Sequence, residues 1–133
     1  MSRKEEYKEK NLLYLDEIAS EEGAQALSCG ILYKVLQAGT GKVSPSQESV
    51  VSVHYKGTLI NGREFDNSWK RDCPEAFRLN QVIEGWQLAL QEMRVGDRWM
   101  IYIPYNLGYG NRTSGPIPAF STLIFEVELL GIA

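Results

Sequence analysis

Residues 48–68 read ESVVSVHYKGTLINGREFDNS, and their alternation decides the fold class. Val51, Val53 and Tyr55 fall on one face of an extended chain while Ser52, His54 and Lys56 fall on the other, the period of a strand with one buried side. Asn61-Gly62 supplies the strongest short hairpin signal and returns the chain through residues 63–68 as an antiparallel partner. Working outward, STLIFEVELL at 121–130 repeats the pattern, with Leu123, Phe125, Val127 and Leu129 on one side and Glu126 and Glu128 on the other. RWMIYIP at 98–104 is apolar in both phases, so it reads as a strand whose inward face is undecided. ILYKVL at 31–36 is a further strand, stopped by AGTGK, whose two glycines suit a turn.

Between these strands, VIEGWQLAL at 82–90 opens a helix expected over 84–93 and closed by Gly96. Trp86, Ala89, Leu90 and Met93 recur at i, i+3, i+4 and i+7, so that face is buried, either as ordinary core or with the Trp86 indole flooring a pocket. Residues 69–75 read as a loop, and YNLGYGNRTSGPIPAF at 105–120, with three glycines and two prolines, is long enough to suggest function. The sum is an α+β domain: an antiparallel sheet with one wet face and a single helix to cover the other.

At 133 residues the chain fits one globular domain that needs no metal or disulfide to build a core. Its formal charge of −3 arises within residues 1–30, which leaves the rest neutral and argues against nucleic-acid or anionic-membrane partners. Residues 3–19 are charged and helix-favouring, with Tyr7, Leu12, Leu15 and Ile18 as an incomplete apolar stripe. This N-terminal appendage helix either packs on the domain or pairs two copies as a homodimer, being marginal alone. The opening lacks the apolar centre of a signal peptide, so the chain as written reads as cytoplasmic, or as periplasmic or secreted had a leader been removed. Cys29 and Cys73 lack the C-x-x-C spacing of a zinc or redox site and read as free thiols. With His54 the only histidine, and directed away from Tyr55, neither a metal cluster nor a serine relay is expected.

VHYKGTL, NGREFDNS, QVIEGW, MRVGD, GYG and STLIFEVELL stand in the order and approximate spacing of the FKBP-type peptidyl-prolyl isomerases, and residues 30–133 resemble that family. The segment from Asn11 through CGILYKVLQAGTG resembles the junction between helix and catalytic domain in its bacterial macrophage infectivity potentiator branch. The resemblance implies a twisted antiparallel half-barrel wrapped around one short α-helix, a helical extension over 1–29 and an isomerase domain over 30–133. It implies rotation of X-Pro bonds in peptides and unfolded protein clients, with no cofactor and with macrolide inhibitors as candidate ligands. Since no pocket motif precedes Gly30, the N-terminal helix is expected to be dispensable for catalysis.

By the same resemblance Tyr55 and Phe65 supply side walls and Asp66 a polar orienting group. Tyr109 donates its hydroxyl to the carbonyl before the proline, and Ile83 offers its backbone N–H to a substrate carbonyl. Phe77, Val82 and Trp86 line the approach to the helix, and Ile117 and Phe125 close the far wall. Read as residues alone, Phe77, Val82 and Phe125 fit ordinary core equally well. Tyr55 and Tyr109 fit it less well, because a buried hydroxyl needs a partner. Arg71 is placed to pair with Asp66. Glu75 stands where some members carry an aromatic, and Pro116 where an aliphatic wall residue is common, departures that bear on macrolide affinity and on the residue preferred before proline. A second reading is a non-catalytic proline-binding or chaperone module on the same fold. A hydrolase built on Cys73 or His54 lacks an orienting acid in any recognisable motif.

Overall fold

A computed structural model describes residues 1–133. Helix α1 (Arg3–Ala19) leads into β1 (Gln25–Ala26), β2 (Leu32–Gln37), β3 (Val50–Thr58), β4 (Glu64–Asn67) and β5 (Glu75–Arg78), followed by α2 (Glu84–Leu90), β6 (Arg98–Ile103) and β7 (Leu123–Ile132). All strand pairs are antiparallel, in the order β1-β2-β6-β7-β3-β4. β4 and β5 take successive stretches of the same β3 edge, opposite 56–58 and 50–53, and residues 68–74 loop out between them.

The alternation of β3 and β7 survives intact: Val51, Val53 and Tyr55 are buried, as are Leu123, Phe125, Val127 and Leu129. These side chains meet Trp86, Ala89, Leu90 and Met93, so the concave face and α2 share one core. α2 ends at Leu90 rather than 93, but tighter turns continue it, with Met93 N–H donating to Leu90 O at 3.1 Å, and Met93 stays on the buried face. Gly96 therefore closes no helix; it turns the chain into β6 and donates its N–H to Leu129 O at 2.8 Å.

The undecided face of β6 has a physical cause. Trp99, Ile101 and Ile103 enter the main core, while Tyr102 joins Ile18, Leu32 and Ile124 in a second cluster behind the sheet, flanked by Tyr14 and Leu15 of α1. Part of the expected wet face is therefore covered, and the strand there has no polar side to display. α1 packs on the domain.

Two turns differ in detail from the sequence reading. Leu59 N–H donates to Arg63 O and Gly62 N–H to Leu59 O, both at 2.9 Å, while only Gly62 among residues 59–63 has positive φ. This is a three-residue turn with Gly62 in the left-handed position, not a two-residue Asn-Gly turn, and the β3–β4 register shifts beside it, between Gly57 and Thr58. In AGTGK the glycines serve close approach. A Cβ on Gly39 would lie 2.4 Å from Val95 O, and its N–H donates to Asp97 Oδ1 at 2.6 Å. β5 has no counterpart in the sequence reading, because a four-residue strand behind Pro74, with Phe77 its only large apolar side chain, carries too little periodicity. No helix is long and apolar enough to cross a membrane.

Candidate functional site

A cleft of about 580 Å³ opens where β3, β4, β5 and β7 face the entry to α2. The structure brings together Tyr55, Phe65, Asp66, Phe77, Val82, Ile83, Trp86, Tyr109, Ile117 and Phe125, every site residue the sequence nominated. Their separation along the chain is bridged by the sheet: Tyr55 pairs with Val127, Gly57 with both Asp66 and Phe125, and Phe77 with Val51.

Trp86 is held in place by three rings. Tyr55, Phe125 and Phe77 meet it edge-on with centroids at 5.1, 5.3 and 5.7 Å and interplanar angles of 89, 87 and 90°. Such contacts contribute about 0.5–1.5 kcal/mol each beyond burial. The indole is only 4% exposed, and its buried Nε1 has no hydrogen-bond partner. Phe65 packs perpendicular to Phe125 at 5.6 Å, an approach possible only because residue 57 is glycine: a Cβ there would fall 2.5 Å from the Phe65 ring. Phe125 and Trp86 are core and cleft lining at once.

The polar edge is a chain of four groups. Tyr55 donates its hydroxyl to Asp66 Oδ2, Arg71 Nη1 donates to Asp66 Oδ1 at 2.5 Å, and Arg71 Nη2 reaches Glu75 Oε1 at 3.2 Å. Burial raises the Tyr55 hydroxyl to about 12, reinforced by the adjacent carboxylate. For Asp66, burial works towards a higher value, but hydrogen bonds from Tyr55 and Arg71 and the guanidinium charge outweigh it and hold the carboxyl below its ordinary value. The pairing also raises Arg71 further. A partly buried carboxylate thus stays ionised with its charge compensated.

Two donors remain free for a ligand. Tyr109 is 42% exposed at the rim, and its hydroxyl has no protein partner, so it is not a core residue. The Ile83 N–H makes no backbone hydrogen bond, while Ile83 O accepts from Trp86 N at 3.0 Å and Gln87 Nε2 bonds Val82 O at 2.8 Å, fixing that corner.

Gln81, Ser114 and Gly115 complete the lining with Pro116 and escaped the sequence reading, since polar and turn-forming loop residues carry no periodic signal. Ser68 was also missed. Fully buried, it accepts Tyr55 N–H at 2.7 Å and lies 2.8 Å from His54 Nδ1, anchoring the strand from behind the cleft. His54 itself stacks on Trp69 at 5.3 Å, away from the cleft, and both cysteines are exposed and unpaired.

Known proteins share both sequence and shape. Residues 41–130 match the family of FKBP-type peptidyl-prolyl cis-trans isomerases. The chain is 45% identical over 120 residues to the FKBP-type peptidyl-prolyl cis-trans isomerase FkpA of Buchnera aphidicola, covering 90% of this chain and 49% of that protein. It is 43% identical over 121 residues to the macrophage infectivity potentiator of Trypanosoma cruzi, covering 90% of this chain and 62% of the relative. The chain thus spans about half the length of the curated relatives it matches. Among solved structures, FkpA from Escherichia coli superposes with a TM-score of 0.91 at 41% identity, over 96% of this chain and 60% of that one. A peptidyl-prolyl cis-trans isomerase from Pseudomonas syringae gives 0.91 at 34% identity, over 100% and 98%. With six ordered motifs, the half-barrel and the aromatic cleft all in agreement, this chain belongs to the FKBP-type peptidyl-prolyl cis-trans isomerase family, on its FkpA and macrophage infectivity potentiator branch.

Proposed function

We propose that the cleft binds X-Pro segments of peptides and unfolded protein clients and catalyses their cis/trans rotation without a covalent intermediate. One observation carries this reading: an apolar cleft floored by Trp86 has two unengaged donors, the Tyr109 hydroxyl and the Ile83 N–H, near its walls. Rotation costs about 18–20 kcal/mol because it breaks amide resonance, and the twisted amide has less charge separation than the planar one. A water-poor site therefore favours the twisted state, and carbonyls held by the two donors on either side of the bond keep the chain fixed while the bond turns. The roles follow from position. Trp86 receives the proline ring, Tyr55, Phe65, Phe77, Val82, Ile117 and Phe125 exclude water, and Asp66, already neutralised by Arg71, orients Tyr55.

A protease-coupled assay on a short X-Pro peptide tests this directly. Acceleration of the slow phase in proportion to protein concentration is the expected result. Saturable binding of the same peptide with no acceleration would replace the enzyme by a proline-binding module. α1 turns its inner side to the sheet, so a helix-mediated homodimer would use the outer side, where Leu12 and Leu13 are exposed. Sedimentation of the wild type against Leu12→Ala/Leu13→Ala separates the two states.

A further inference from the structure

The loop between β6 and β7 carries five cleft residues, Tyr109 and Ile117 among them, and none of the five belongs to a strand of the sheet. Its supports come from the other side. Asn11, in the middle of α1, is completely buried. Its Oδ1 accepts the Thr122 N–H at 2.7 Å, its Nδ2 donates to Tyr7 O at 2.8 Å, and its main-chain O accepts from Thr122 Oγ1 at 3.4 Å. Asparagine is a poor helix former, and one more leucine would have glued α1 to the domain equally well. What a buried amide bonded at both its oxygen and its nitrogen adds is a fixed position, because any shift leaves polar groups unpaired.

The contacts run on towards the cleft. Ser121 Oγ donates its single hydrogen to Pro118 O at 2.7 Å, so the Tyr7 hydroxyl, 2.9 Å away, is the donor to Ser121. Phe120 has φ of +67°, an unfavourable conformation for a bulky residue, which persists only where its surroundings impose it. Its ring meets Tyr105 edge-on at 5.0 Å and lies beneath Lys8 of α1 at 5.1 Å. The Phe120 N–H then donates to Gly110 O at 2.9 Å, and Gly110 N–H to Tyr105 O at 2.8 Å. The chain of bonds that begins at Asn11 and Tyr7 ends one residue from Tyr109 and, through Pro118, one residue from Ile117.

We propose that α1 is a brace for the rim of the cleft, with Asn11 and Tyr7 as positioning residues that hold Tyr109 and Ile117 in the binding-competent arrangement. This rests on the isomerase reading for its kinetic consequence, and it replaces the expectation that the N-terminal helix is dispensable. A rim that is competent only part of the time weakens apparent affinity by the competent fraction, while saturating substrate restores the competent state. The signature is thus a higher KM with kcat retained. Loss of folded protein, the consequence of a purely structural role, lowers kcat and leaves KM alone.

Asn11→Ala and Tyr7→Phe, in the full chain, are to be compared with Leu13→Ala on the exposed side of α1. Short X-Pro peptide kinetics and amide exchange by NMR are the two readouts. Asn11→Ala is expected to raise KM severalfold and to speed exchange at Gly110 and Phe120 at least tenfold relative to amides of the β3–β7 ladder, Tyr7→Phe to do the same more weakly, and Leu13→Ala to do neither. Unchanged KM and unchanged rim exchange in a folded variant overturn the brace, as does a fall in kcat with KM constant. If Asn11→Ala does not fold, Tyr7→Phe decides alone on the same two criteria. If the wild type shows no turnover, the isomerase reading fails by itself, and the exchange comparison still decides whether α1 holds the rim.

Discussion

Tyr55 and Asp66 hold each other in opposite protonation states, and the pH range of that arrangement follows from the direction of each shift. Asp66 is lowered, so its contribution to stability is present above the unfolded carboxylate value, about 3.9, and is lost as pH falls through the lower folded value. Tyr55 is raised, so its contribution is complete below about pH 10 and is lost as pH rises through about 12. Tyr55→Phe removes one donor to Asp66. Carboxyl NMR titration should then find Asp66 closer to its ordinary value, and kcat/KM should fall about tenfold, as for about 1.4 kcal/mol of lost transition-state stabilisation. An unmoved Asp66 titration would mean that Arg71 alone sets it. Gly57→Ala acts on packing instead. The new Cβ displaces the Phe65 ring, overpacking of this kind costs about 1–3 kcal/mol, and peptide affinity should drop with the melting temperature. Retention of both would show that the ring rotates aside without consequence.

At the scale of elements, α2 is seven residues long, too short to persist alone, and exists because its buried face completes the core. Trp86 sits in its first turn, so core and site share one side chain. Fluorescence of the chain should change on binding a proline peptide, and that change should vanish in Trp86→Phe despite Trp69 and Trp99; its survival would remove Trp86 from the cleft floor. The elements legible in the sequence were those with one wet face and one dry face: β3, β7 and α2 announced their periods. β6 hid its orientation because α1 covers its second face, and β5 hid entirely because four residues hold no period. The cleft was legible through the family motifs around Tyr55, Phe65-Asp66, Trp86 and Tyr109. Gln81, Ser114 and Gly115 were not, because they line the cleft from irregular segments where no pattern marks orientation.

For the molecule as a whole, the proposed catalysis by desolvation and fit requires no proton transfer, and His54, the only histidine, faces away from the cleft. The profile of kcat/KM should therefore be nearly flat between about pH 6 and 8. Cys29→Ala and Cys73→Ala should keep full activity, both thiols being exposed and outside the cleft lining. A bell-shaped profile, or loss of turnover in either cysteine variant with the fold intact, would indicate acid-base or covalent chemistry.

The strand order has a consequence for how the chain assembles its cleft. Val51 pairs with Ile132 and Gly57 with Phe125, so the central ladder joins parts of the chain that are synthesised far apart, and loop closure must precede any gain from those contacts. No early fragment holds a cleft: Tyr55, Phe65 and Phe77 wait for Phe125 on the last strand. Folding is expected in milliseconds to seconds, as for other sheets built from distant segments, with competence for proline peptides arriving only in the final cooperative step. In a urea titration, peptide binding and β-sheet circular dichroism should be lost together. Binding that outlasts the sheet signal would mean that the cleft persists without the ladder that assembles it.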